Sequence, residues 1–127
     1  ALGVLSGTGG TQRLARLVGK SRAIRLMVEG ALLDYERAAE IGLVDEVWEA
    51  TGFLDHAHTY ARSFCPPHKA SLAVGHIKRA VQTGLEVGLE QGLALERELQ
   101  QRLFESHDAA EGIAAFNDKR KPDFRGS

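Results

Sequence analysis

One run in this 127-residue chain reads as extended, Leu43-Val44-Asp45-Glu46-Val47-Trp48, and a lone strand of that length cannot stand without a partner. No second convincing strand is offered elsewhere, so a sheet to pair with it should lie outside these residues. The chain is therefore expected to be mainly α, with at most one or two short strands. Three Pro, one Trp, two Tyr and five Phe also suit an all-β domain poorly.

Helical signals fill most of the remainder. A glycine-rich opening, Gly3 to Gly10, leads into Gln12 to Val18, where Leu14, Leu17 and Val18 recur at helical spacing and Gly19 stands at the C-cap. Ser21 to Glu29 follows, with Ser21 as N-cap, Ala23, Ile24, Met27 and Val28 on one face, and Gly30 as the stop. Asp34 caps a helix that Gly42 ends. Beyond Gly52 the spacing predicts helices over 53–64, 68–83, 85–105 and 108–119. Asp108 is read as the last N-cap, with Glu111 three residues on in a box-like arrangement, and Pro122 closes the helix. Gly84, Gly88 and Gly92 stand four apart, where each costs roughly 1 kcal/mol relative to Ala, so close approach between helices is expected to compensate.

Charge and cysteine content narrow the function. Sixteen Lys and Arg against seventeen Asp and Glu leave a net charge of -1, which provides no whole-chain attraction for nucleic acid or an anionic bilayer. The single Cys65 cannot form an internal disulfide, so a reducing compartment is expected: cytoplasmic, or a mitochondrial matrix in a eukaryote. No stretch is apolar enough for a membrane helix. The sequence begins at Ala1 without Met or a signal-like segment, and is read as a fragment.

Most chemical motifs resolve to bland readings. No His pair has the i, i+4 spacing of a zinc helix, so no metal is expected. Cys65, before Pro66-Pro67, reads as a small buried apolar side chain rather than a nucleophile. The loop Gly7-Thr8-Gly9-Gly10 lacks the ending of a P-loop and the spacing of a dinucleotide fingerprint, and reads as a tight structural turn before a phosphate cradle. Glu86 and Glu90, like Glu96 and Glu98, read as solvated charge on a polar helix face. The basic tail Lys119-Arg120-Lys121 with Arg125 is different, because Phe116 lies one helical turn before Lys119. An aromatic face plus an ammonium is what an adenine nucleotide would use.

Four blocks then carry a resemblance. They are Leu2-Gly3-Val4-Leu5-Ser6-Gly7-Thr8-Gly9-Gly10-Thr11-Gln12-Arg13-Leu14, Leu17-Val18-Gly19, Ala38-Ala39-Glu40-Ile41-Gly42-Leu43-Val44-Asp45-Glu46-Val47, and Glu111-Gly112-Ile113-Ala114-Ala115-Phe116 with Lys119-Arg120-Lys121-Pro122 and Phe124. In this order the chain strongly resembles the C-terminal half of the enoyl-CoA hydratase/isomerase (crotonase) family.

The resemblance implies an α/β spiral fold of which residues 1–50 would be the end of the core and residues 51–127 a helical oligomerisation subdomain. It implies an acyl-CoA substrate, a homo-oligomer (a trimer or dimer of trimers), no separate cofactor, and a reaction in which two backbone amides stabilise a thioester enolate while two glutamates handle water and a proton. In the family those groups precede the glycine loop, so no catalytic residue is expected here. Leu5, Ser6 and Gly7 would line the acyl end of the site, and Phe116 and Lys119 would lie near the adenine end of CoA bound mainly by another subunit. Ser6 stands where hydratases usually have Pro, and where the related dihydroxynaphthoyl-CoA synthases carry a catalytic acid. Hydration is favoured over isomerisation, hydrolysis or ring closure, with a catalytically silent assembly module as the alternative. Exposed apolar faces are expected where the spiral core would dock.

Overall fold

Short amphipathic segments punctuated by glycine can bury a stripe only against a neighbouring helix, and the computed structural model shows this in both parts of the chain. It describes residues 3–127; Ala1 and Leu2, the latter being the first residue of the glycine-rich block, lie outside the described residues. Among the described residues seven helices follow one another: α1 (Gly10–Val18), α2 (Lys20–Glu29), α3 (Tyr35–Glu40), α4 (Phe53–Arg62), α5 (Ser71–Gly84), α6 (Leu89–Phe104) and α7 (His107–Asn117). They fall into two compact units, Ala1–Thr51 and Gly52–Ser127.

In the first unit α1 packs on α2. Gly19 closes α1 through its N–H to the Ala15 carbonyl at 3.0 Å and opens α2, so α2 begins at Lys20 and Ser21 is not its cap. Asp34 does cap α3, accepting the Arg37 N–H at 2.7 Å. The helix ends with Gly42 in the left-handed region (φ 73°), where the Gly42 N–H reaches Ala39 O at 3.0 Å and the Leu43 N–H reaches Ala38 O at 2.8 Å. That is the paired closure of a Schellman motif. It consumes the start of the run read as a strand: residues 43–45 are bends and 46–48 irregular backbone, and no strand occurs among the described residues. Among its described residues the unit buries only Ala23, Ala38 and Ile41.

In the second unit α5 packs on α6 and α6 on α7. The helix expected from His68 begins at Ser71, because the Cys65 carbonyl is taken up by the N–H groups of His68 and Lys69 in a turn. Cys65 is exposed, which corrects its reading as a buried side chain: it sits on this surface turn rather than on a helix face. Gly84 ends α5, Gly88 caps α6 and Gly92 lies inside α6, so the three glycines do not share one helix, and Glu86 sits in the connecting turn. A Cβ at Gly92 would meet Gly84 Cα at 3.5 Å, an ordinary contact, so close approach does not require glycine there. Leu99 and Ala115 are buried, and burying one leucine contributes about 1.5–3 kcal/mol.

Large apolar side chains stand uncovered in both units. Leu32 is fully exposed and Val28 is 81% exposed, while Leu85, Leu89 and Phe116 project from the second unit. No helix among the described residues is long and apolar enough to cross a membrane.

Candidate functional site

The glycine-rich loop is shaped by its own carbonyls. The Gly10 N–H donates to Gly7 O at 3.1 Å and the Thr11 N–H to Ser6 O at 3.3 Å, so the first amides of α1 turn inward on the loop. Those amides are unavailable as an anion cradle, in keeping with the tight structural turn. Thr8 and Gly9 both take positive φ, 58° and 85°, to complete it. A Cβ on Gly10 would lie 3.1 Å from the Ser6 Cβ, so Ser6 is seated directly against the start of the helix.

Ser6 borders a cavity of about 330 Å³ whose other walls come from Leu14 of α1, Leu26 and Met27 of α2, and the Leu33 and Leu43 loops. Ser6 itself is exposed, and the lining residues include no carboxylate or imidazole. Leu5 is 74% exposed and Gly7 is also exposed; neither lines this cavity.

Phe116 and Lys119 belong to the second unit. Phe116 is 83% exposed, near the end of α7. The helix closes by the same two-bond pattern as α3: the Lys119 N–H reaches Phe116 O at 3.3 Å and the Arg120 N–H reaches Ala115 O at 3.0 Å. Here the left-handed position holds Lys119, with φ 54°, instead of glycine. A left-handed lysine costs roughly 1–2 kcal/mol.

Residues read only as caps turn out to organise this end. The side chain capping α7 is Ser106, which accepts the Ala109 N–H at 3.1 Å. Asp108 is instead buried, accepting the N–H groups of Arg125 and Gly126 at 2.8 Å each, while its own N–H donates to Ser127 O at 2.9 Å. Burial alone would raise its pKa, but those two amides and neighbouring His107 hold it below the ordinary value. Glu111 accepts two bonds from the Arg120 guanidinium, at 2.6 and 2.9 Å, and the Asp123 N–H at 2.8 Å. The Arg120 fork, then the Asp123 amide, lowers its pKa to about 2. The box template hid these roles because Asp108 and Glu111 have the spacing of a cap; the signal pointing elsewhere was Ser106, a competent cap two residues earlier.

Among the described residues no three His, Cys, Asp or Glu side chains gather as a metal site would need. The residues 1–127 match the enoyl-CoA hydratase/isomerase family. The chain belongs to that family. It is 40% identical to the 2,3-dehydroadipyl-CoA hydratase of Escherichia coli and 42% identical to a probable enoyl-CoA hydratase of Rhizobium meliloti, in each case over 98% of this chain and 48% of the relative. The crystal structure of an enoyl-CoA hydratase from Geobacillus kaustophilus superposes with a TM-score of 0.90 at 44% identity, over 99% of this chain and 47% of that one. An enoyl-CoA hydratase from Bacillus anthracis gives 0.82 at 34% identity. The chain thus spans about half the length of the relatives it matches. Its helices are those of the crotonase fold.

Proposed function

We infer that this chain is the helical half of an acyl-CoA enzyme that adds water across the 2,3-double bond of an enoyl thioester. The observation that carries this reading is the agreement with the Geobacillus kaustophilus hydratase in fold and sequence together. The Ser6 cavity would receive part of the acyl chain, its leucine and methionine side chains offering apolar contact and its single hydroxyl available to orient substrate. A serine hydroxyl without a base is a poor proton acceptor at neutral pH. The water-activating and proton-exchanging carboxylates, and the amides that stabilise the enolate, are therefore assigned to the part of the family length that this chain does not span.

Phe116 and Lys119 would contact the adenine nucleotide of CoA, far from the reacting carbons. Such a contact binds substrate and transition state alike, so its loss raises the Michaelis constant and spares turnover. The uncovered apolar side chains of both units fit a chain that docks on a spiral core and assembles as a trimer or dimer of trimers, with CoA entering as part of the substrate and no separate cofactor.

The test is hydration of crotonyl-CoA. Joined to the remaining family segment, the chain should turn over; alone, it should not. Turnover by the 127-residue chain alone would overturn this division of labour.

A further inference from the structure

Lys119 is the anomaly from which the inference starts. Among the described residues, four helix ends close on a residue with positive φ, at Gly19 after α1, Gly30 after α2, Gly42 after α3 and Lys119 after α7. Three are glycine, the residue for which such backbone carries no side-chain penalty. The fourth is a lysine that must be held there by its surroundings, since a strained backbone persists only where neighbours over-determine it.

The next residue supplies the restraint. Arg120 is tied at its backbone, through its N–H to Ala115 O at 3.0 Å, and at its guanidinium, through the two bonds to Glu111 at 2.6 and 2.9 Å. The two-bond fork fixes the plane of the guanidinium as well as its distance. Arg120 Nε also lies 3.6 Å from Asp118 Oδ2, so the residues on both sides of Lys119 share one ionic cluster. Glu111 further accepts the Asp123 N–H, which prevents the chain beyond Pro122 from swinging away. The Glu111 side chain is only 16% exposed, against 44% for Arg120, so the acid is the seated partner and the arginine comes to it.

We propose that Glu111 is a positioning residue for nucleotide binding: by clamping Arg120 and the Asp123 amide it keeps Lys119 in its left-handed backbone, and so aims the ammonium that meets CoA. This rests on the reading that Lys119 contacts the nucleotide of CoA. Glu111 itself touches no substrate. It acts through Lys119, and removing it should therefore cost nothing once Lys119 is gone.

The test uses the chain joined to the remaining family segment, isotope-labelled for NMR, with CoA as the probe. In Glu111→Ala the Lys119 backbone carbon shifts should leave their left-handed values and Arg120 amide exchange should quicken by about tenfold or more, as in local opening. CoA affinity should fall as far as in Lys119→Ala, and the double variant should be no weaker than either single one. Glu111→Gln keeps one acceptor oxygen for Arg120 Nη1 and Asp123 N but loses the second arm of the fork, so its affinity should fall between the wild type and Glu111→Ala, which also covers the case in which the alanine variant does not fold. Unmoved Lys119 shifts with unchanged Arg120 exchange, or losses that simply add in the double variant, would overturn the positioning role. Weakening by Lys119→Ala but not by Glu111→Ala would overturn it alone. No effect of Lys119→Ala on CoA binding would overturn the nucleotide reading, and the proposal with it.

Discussion

Asp108 and Arg125 are joined across seventeen residues by a 2.8 Å bond from the Arg125 N–H to a carboxylate that is 2% exposed. The Gly126 N–H takes the other oxygen at 2.8 Å, and the Ser127 carbonyl accepts from the Asp108 backbone. A buried acceptor serving two amides is expensive to remove, because both donors are then left in a site with little access to water. Asp108→Ala should lower unfolding stability by about 3 kcal/mol, with hydrogen bonds to a charged group contributing roughly 1.5–3 kcal/mol each before relaxation. Urea denaturation would show it as a lower midpoint at unchanged slope. A loss below about 0.5 kcal/mol, the range of an ordinary surface substitution, would mean that the tail contributes nothing to the fold.

The same end of the molecule sets the acid response. Glu111 is held at about 2 against an ordinary 4.5, first by the Arg120 fork, and Asp108 is held below its ordinary 3.8 despite burial. Both carboxyls have folded values below their unfolded ones, so the stability they contribute is fully present above about pH 4.5 and is lost as pH falls through the folded values, toward pH 2 for Glu111. Unfolding stability measured from pH 6 down to pH 2 should decline over that window. In Glu111→Gln the decline should be shallower, because one of the two linked groups has been removed; an unchanged slope would contradict the linkage.

Helix ends were legible where the local chemistry was self-contained. Asp34 has its N–H donor three residues on, and Gly30 and Gly42 close their helices by backbone geometry that needs only nearby carbonyls. The family assignment was legible for a similar reason, since its blocks sit at fixed turns and helix ends. Residues 43–48 misled because Val44, Val47 and Trp48 are residues that suit a strand, while the amides of Leu43 and Val44 are consumed by Ala38 O. Asp108 and Glu111 misled because their true partners lie nine to eighteen residues away, and helical spacing carries no information about a returning tail. Ser6 was singled out by the family resemblance, but its cavity depends on α2 and the Leu33 and Leu43 loops.

Gly92 offers a stabilising change. It lies inside α6, where glycine costs about 1 kcal/mol relative to alanine. The added methyl would meet Gly84 Cα at 3.5 Å and its carbonyl oxygen at 3.8 Å, both ordinary contacts. Gly92→Ala should therefore raise stability by up to about 1 kcal/mol, seen as a higher thermal midpoint by circular dichroism. A lower midpoint would show that α5 and α6 approach more closely than these distances allow.

Removing the Lys119 side chain should stabilise the fold at the expense of binding, as at other strained functional positions. Its φ of 54° matches the role that Gly42, at 73°, plays after α3, and glycine there relieves the clash that L side chains suffer. Lys119→Gly should stabilise the chain by about 1 kcal/mol while weakening CoA binding, because the ammonium is lost as the backbone relaxes. Strain retained at a position whose relief would improve the fold is the pattern of a residue kept for binding. Urea midpoints and CoA titrations on the same variant decide it: stabilisation without loss of affinity would remove Lys119 from the nucleotide site, and destabilisation would show that its side chain supports the helix end instead.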